Sequence, residues 1–212
     1  TVSRPSILRV DVTAAGANLV ATHEWNLVTD LPVVGANLGL EAITYVSDAF
    51  LVANSFFDES ANHTYDPTDY PLHGAGLFFV GLEANGVVYA YALNSDGTFH
   101  RIATIASSHP GMMGLEFDRE TGMLWAACDD TANGQLAVLR IDTTPASPAF
   151  GRFVVQRKFE RPATMPNLNN EGIAFAPEAE CVGGRKAFFW ADDGETDGHA
   201  IRRDTIPCGS FF

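Results

Sequence analysis

Glu171-Gly-Ile-Ala-Phe175 is the stretch that decides the fold, because it has two counterparts earlier in the chain, Glu41-Ala-Ile-Thr-Tyr45 and Met113-Gly-Leu-Glu-Phe117. Self-similarity at long spacing is the signature of a repeated supersecondary unit. Each of the three is followed by a second apolar run: Phe50-Leu-Val-Ala-Asn54, Met123-Leu-Trp-Ala-Ala127 and Ala187-Phe-Phe-Trp-Ala191. A third run of alternating character lies at Val87–Leu93, Gln135–Ile141 and His199–Arg203, and a fourth closes two of the units at Phe99–Ile105 and Arg152–Phe159. Short polar connections such as Asn94-Ser-Asp-Gly97 and Arg119-Glu-Thr-Gly122 suit hairpin turns. The unit is therefore an antiparallel meander with strands a, b, c and d in chain order.

A repeated four-stranded meander predicts an all-β chain, and within that class a β-propeller of four-stranded antiparallel blades with about three blades present. Strand a begins with a polar residue and then runs apolar, as expected of the innermost strand beside a central channel; strands at regular spacing also build sandwiches and barrels. Residues 1–38 supply strands c and d of a partial blade (Ser6–Val12 and Asn18–Trp25), 39–106 a blade, 107–160 another, and 161–212 a partial blade with a, b and c. Propellers close with roughly four to eight blades. The expectation is thus a ring completed by a missing N-terminal segment of a longer polypeptide or by a second chain. The anchors at Glu41, Met113 and Glu171 lie further apart than the roughly 40 to 50 residues of common blades. The excess falls in a polar insertion from Asp58 to Gly76 and a loop from Pro177 to Gly184.

Composition bounds the partners. With 46% hydrophobic and 18% charged residues the chain has material for a sizeable core. Its longest apolar runs, Gly76–Leu82 and Ala187–Ala191, are far below the roughly 20 residues that cross a bilayer, so no membrane span is expected. A net charge of −13 opposes binding to nucleic acid or anionic membranes and fits a cation or a small-molecule ligand better as partner; an acidic surface is also a common solubility device in its own right. Three cysteines permit one disulfide. Cys181 and Cys208 bracket the last unit; if they pair, the compartment is oxidising and the protein secreted, extracellular or periplasmic. Cys128, inside an apolar run, reads as a buried core residue.

Asn169-Asn-Glu-Gly-Ile-Ala-Phe-Ala-Pro177 and Phe188-Phe-Trp-Ala-Asp-Asp-Gly194 resemble a broad group of secreted bacterial β-propellers described as phytase-like or esterase-like. The stretch from Gly76-Leu-Phe-Phe-Val-Gly-Leu-Glu-Ala-Asn-Gly86 through Cys208 is similar to actinobacterial members, and the resemblance covers the chain from about Leu40 onward. It implies a propeller fold, stabilisation by Ca²⁺, and a hydrolase acting on phosphoesters or esters. Members of the group are typically longer at the N-terminus.

The residues themselves supply an acidic half of such chemistry. Glu41 and Glu171 share one place in their units, at the start of strand a, so both are expected at one mouth of the channel; Met113 stands there in the middle unit. Asp129-Asp130 and Asp192-Asp193 both follow strand b, and the last pair continues Gly194-Glu-Thr-Asp197-Gly-His199, rich in oxygen donors. Together Glu41, Glu171, Asp129, Asp130, Asp192, Asp193 and Asp197 form the expected metal-ligand set for Ca²⁺, which takes six to eight oxygens. The alternatives are that the glutamates accept backbone hydrogen bonds and that the aspartates are ordinary turn residues. The basic half is thin: Lys158 and Lys186 are the only lysines. No Gly-x-Ser-x-Gly elbow, spaced zinc motif or phosphate-binding loop occurs. The competing functional reading is a non-enzymatic binding or assembly module whose open strands pair with another chain.

Overall fold

The computed structural model describes residues 4–13, 19–161 and 163–209, and places antiparallel strands on nearly all of the apolar runs. β1 (Ser6–Val10) and β2 (Ala21–Asn26) form a two-stranded sheet. The first large sheet has the order β3 (Leu40–Ser47), β6 (Gly76–Leu82), β7 (Val87–Leu93), β8 (Phe99–Ala106). Between β3 and β6 lie the helix α1 (Asp48–Ala53) and a small ribbon of β4 (Phe57–Asp58) with β5 (His63–Thr64). The second large sheet is a sequential meander of β9 (Met112–Asp118), β10 (Met123–Cys128), β11 (Leu136–Ile141) and β12 (Phe153–Phe159). The third is three-stranded: β13 (Asn170–Phe175), β14 (Arg185–Asp192) and β15 (Ile201–Pro207). Each sheet is open, and no strand order closes on itself among the described residues.

One element departs from the sequence expectation. Phe50–Asn54 is not strand b of its unit; it lies in and at the end of α1, and β3 instead pairs with β6, Val46 opposite Leu77 and Ser47 opposite Gly76. A short apolar run has no period that separates a strand from one helical turn. The local signals favour the helix: Ser47 caps it by accepting from the Phe50 N–H, and Asp48 places a negative charge in its first turn. Leu51 is fully buried while Val52 faces out. Gly76 then starts β6 because a Cβ there would lie 2.4 Å from the Val46 carbonyl oxygen. The insertion in this unit accordingly spans 48–75.

That insertion is pinned by buried polar groups. Asp58, fully buried, accepts from the Tyr70 hydroxyl and from Ser60, and the Tyr65 hydroxyl donates to Asp48 at 2.8 Å, with His73 Nε2 at 2.9 Å from the same hydroxyl. Burial, followed by the Asp58 carboxylate, pushes the Tyr70 phenol up to about 12.

The sheets stack face to face. The largest core joins the first and second large sheets around Phe79, Leu77, Leu124, Leu139 and Phe153, with Leu51 and Phe56 of the insertion closing its edge. A second core packs the β1–β2 hairpin, through Ile7 and Trp25, on the other face of the first large sheet at Val80, Tyr89 and Tyr91. A third lies between the second and third large sheets, where Met123, Trp125 and Val138 meet Phe159, Ile173 and Ile206. The first strands of the three large sheets gather along one side, β9 lying beside both β3 and β13. The Phe117 N–H donates to Thr44 Oγ1 at 3.2 Å there, and Gly114 leaves room for Ile173.

The third sheet is tied to the rest by charge and to itself by a covalent bond. Lys186, buried, pairs with Asp118 of β9 at 2.8 Å and with Glu178 at 2.6 Å. Cys181 and Cys208 form a disulfide, joining the β13–β14 connection to the end of β15. Cys128 is free and buried, its thiol pushed up to about 11 by burial, as befits a core residue. No described helix is long and apolar enough to cross a membrane.

Candidate functional site

The three large sheets share one irregularity at one address. In the first, Leu40 pairs with Leu82 and Ala42 with Gly81, leaving Glu41 as the extra residue of a bulge. In the second, Met112 pairs with Cys128 and Gly114 with Ala127, leaving Met113. In the third, Asn170 pairs with Asp192 and Gly172 with Ala191, leaving Glu171. A bulge breaks the alternation of side chains and re-aims the extra residue. Glu41, Met113 and Glu171 are therefore equivalent in backbone geometry as well as in sequence.

A second set of equivalents follows strand b. The backbone N–H groups of Glu83, Asp129 and Asp193 donate to the carbonyls of Gly39 (2.9 Å), Gly111 (2.9 Å) and Asn169 (3.0 Å), each two residues before the bulged one. The same hydrogen bond closes the same rim in all three sheets. With Phe50–Asn54 expected as strand b of its unit, the sequence does not single out Glu83. The usable signal was the run Gly76–Leu82 ending directly in Glu83, as Met123–Cys128 ends in Asp129.

These positions converge on a cavity of about 380 Å³ lined by Glu41, Glu83, Asp129, Asp130 and Glu171, together with Asn37, Thr131, Asn169, Met112 and Met113. No Lys, Arg or His is among the described residues that line it. Burial, then the charges of Glu41, Asp129 and Glu171, hold the Glu83 carboxyl above its ordinary range. Glu171 is raised by burial, then by Asp193, Glu41 and Asp129. Asp129 is buried and accepts from the Thr131 N–H at 2.9 Å, which fixes the short turn Asp130–Ala132. Gly111, at φ +68°, comes so close that a Cβ would stand 2.3 Å from the Asp129 carboxylate.

The remaining members of the expected ligand set lie elsewhere. Asp192 is buried and accepts from the backbone N–H groups of Gly194 and Thr196, both at 3.0 Å, and pairs with Arg202 at 3.3 Å. It organises a turn: burial alone would raise its pKa, but Thr196, the Gly194 N–H and Arg202 outweigh it and hold the carboxyl low. Asp193 contributes charge near Glu171 without lining the cavity. Asp197, at φ +58°, sits exposed in the turn Thr196–Gly198, away from the cavity. Neither lysine reaches it, since Lys158 donates to the Ser108 carbonyl and Lys186 is held by Asp118 and Glu178.

The charged groups in this lining are all carboxylates, and oxygen donors of that kind are the chemistry of a site for a hard cation. No group of three or more His, Cys, Asp or Glu side chains among the described residues is arranged to hold one metal ion as they stand. The carboxylates thus surround the cavity as a charged rim. No protein-family model matches the chain, and no curated protein matches it.

Proposed function

We propose that this chain is part of a secreted or periplasmic β-propeller whose acidic channel mouth takes up Ca²⁺. The observation that carries this reading is the convergence of Glu41, Glu83, Asp129, Asp130 and Glu171 on one cavity. Stacked antiparallel meanders with their first strands gathered on one side support the propeller, and the Cys181–Cys208 disulfide supports an oxidising compartment. A bound cation would supply the charge that offsets the repulsion among these carboxylates. The glutamates at the bulges and the carboxylates after strand b would provide its oxygen ligands, with Asn169 beside them. A phosphoester or ester substrate, which the family resemblance implies, would be drawn to so acidic a mouth only through such cations.

Calorimetric titration of chelator-treated protein with Ca²⁺ tests the reading. Saturable binding with a raised melting temperature, both lost in the Glu41→Gln/Glu171→Gln double variant, is the expected result. No heat of binding and no change in melting would overturn it.

A second reading, strand addition by another chain, has its own support. The β1 edge borders a trough about 280 Å³ in volume, between β1 and β3, in which Leu8 is 57% and Ile43 49% exposed, and β15 is the open edge of its sheet. Light scattering distinguishes the two: a monomer at all concentrations refutes assembly.

A further inference from the structure

Between the second and third large sheets lies a cavity of about 170 Å³ that shares only Met113 with the lining of the acidic one. Its walls include Trp125 of β10, Leu136 of β11, Phe159 of β12, Ile173 of β13, and Phe188 and Trp190 of β14. Trp125 stacks on Phe159 with centroids 5.9 Å apart and planes 11° from parallel, so one wall is a flat aromatic surface. Phe188 and Trp190 stand 5.6 Å apart on the facing sheet. Asn170 also lines the space, and its amide oxygen is out of solvent with no hydrogen-bond partner among the described residues.

Protein cores pack at crystal density and leave few voids larger than a water molecule. An apolar void of about 150 Å³ is enough to take up benzene. The lining is mostly apolar, with Glu160, Arg161 and Asp204 also in it; a charged ligand would lose its hydration against the apolar walls, whereas a ring gains from stacked or edge-on contact with the aromatic ones. The buried acceptor on Asn170 calls for a donor.

We infer that this inter-sheet pocket binds a small uncharged molecule built on one aromatic ring and carrying one hydrogen-bond donor, which the Asn170 amide oxygen receives. Met113 explains its own departure from the glutamate pattern on this basis. Its unbranched thioether lines both cavities and so forms part of the wall between them. The pocket stands independently of the Ca²⁺ reading, because none of the rim carboxylates lines it.

The probe is 4-methylphenol, with its methyl ether as the partner that has no donor. Calorimetric titration of the intact protein is expected to give saturable one-to-one binding, roughly fivefold to tenfold weaker for the ether. Asn170→Leu is expected to erase that difference, and a difference that persists would overturn the role given to Asn170. Leu136→Phe fills the pocket and is expected to abolish binding while the protein still melts cooperatively. Absence of saturable binding by 4-methylphenol up to its solubility limit, or unchanged binding in folded Leu136→Phe, would overturn the site. Should that variant not fold, nuclear Overhauser contacts decide: contacts from the probe methyl to the Trp125 and Trp190 rings uphold the pocket, and contacts elsewhere refute it.

Discussion

The Glu83 and Glu171 carboxyls are held above the ordinary glutamate range in the folded protein, and this sets a sign for their effect on stability. A carboxyl whose folded pKa is raised binds its proton more tightly in the folded than in the unfolded state. Its contribution therefore falls as pH rises from the ordinary glutamate value of 4.5 through the raised folded value. Glu83→Gln and Glu171→Gln should each raise the melting temperature of calcium-free protein by about 1 to 3 °C at pH 7, and the advantage should vanish at pH 3.5; calorimetric scans at the two pH values check this. Asp118 behaves in the opposite sense. The Lys186 ammonium and neighbouring hydrogen bonds outweigh burial and hold Asp118 low, so its stabilisation is present above the ordinary value of 3.8 and is lost as pH falls through the folded value. Burial alone would lower Lys186, but Asp118 and Glu178 raise it, so its contribution is lost only as pH climbs through a value above 10.5. With side chains 2% and 5% exposed, this pair is a buried one. Lys186→Ala leaves Asp118 uncompensated and should cost about 3 to 5 kcal/mol in denaturant unfolding.

At the scale of elements, the bulge is the device that turns a repeated sequence into a repeated site. Strands a and b pair in register along most of their length, and the one-residue slip places Glu41 and Glu171 at the rim beside the carboxylates that follow strand b. The bulges had no visible signature in the sequence, because a bulged residue differs from its neighbours in partner and not in type. Strand b of the first unit is ambiguous in the sequence for a related reason: Phe50–Asn54 and Gly76–Leu82 are both short and apolar, and the chain uses the first to close a core edge and the second to pair. Gly76 marks the choice. Gly76→Val should destabilise the protein by at least about 1 to 3 kcal/mol, because the new side chain meets the Val46 carbonyl and the Tyr45 ring. Urea unfolding that shows no loss would show that β3 and β6 need not approach so closely.

Across the whole molecule, three large sheets stack through separate apolar cores, and the last depends most on added ties. Reduction of Cys181–Cys208, which closes a sequence separation of 27 residues, should cost about 2 to 4 kcal/mol. Hydrogen exchange should locate the loss in β13–β15 while leaving β6, β7 and β10 protected. Uniform loss of protection would mean that the sheets unfold as one unit. The order of residues carries the all-β class, the antiparallel meander and the positions of most strands, because these follow from short-range patterns of apolar residues and turns. It also determined the shared address of Glu41, Met113 and Glu171, and the buried character of Cys128. Long-range pairing settles which apolar run pairs with β3, that Glu83 joins the rim, and that Asp192, Asp193 and Asp197 do not line it. It alone set an aromatic-walled pocket beside Met113. The physical reason is common to all of these: each depends on which residue opposes which across strands distant in sequence, and a slip of one residue in that pairing moves a side chain from one face to the other.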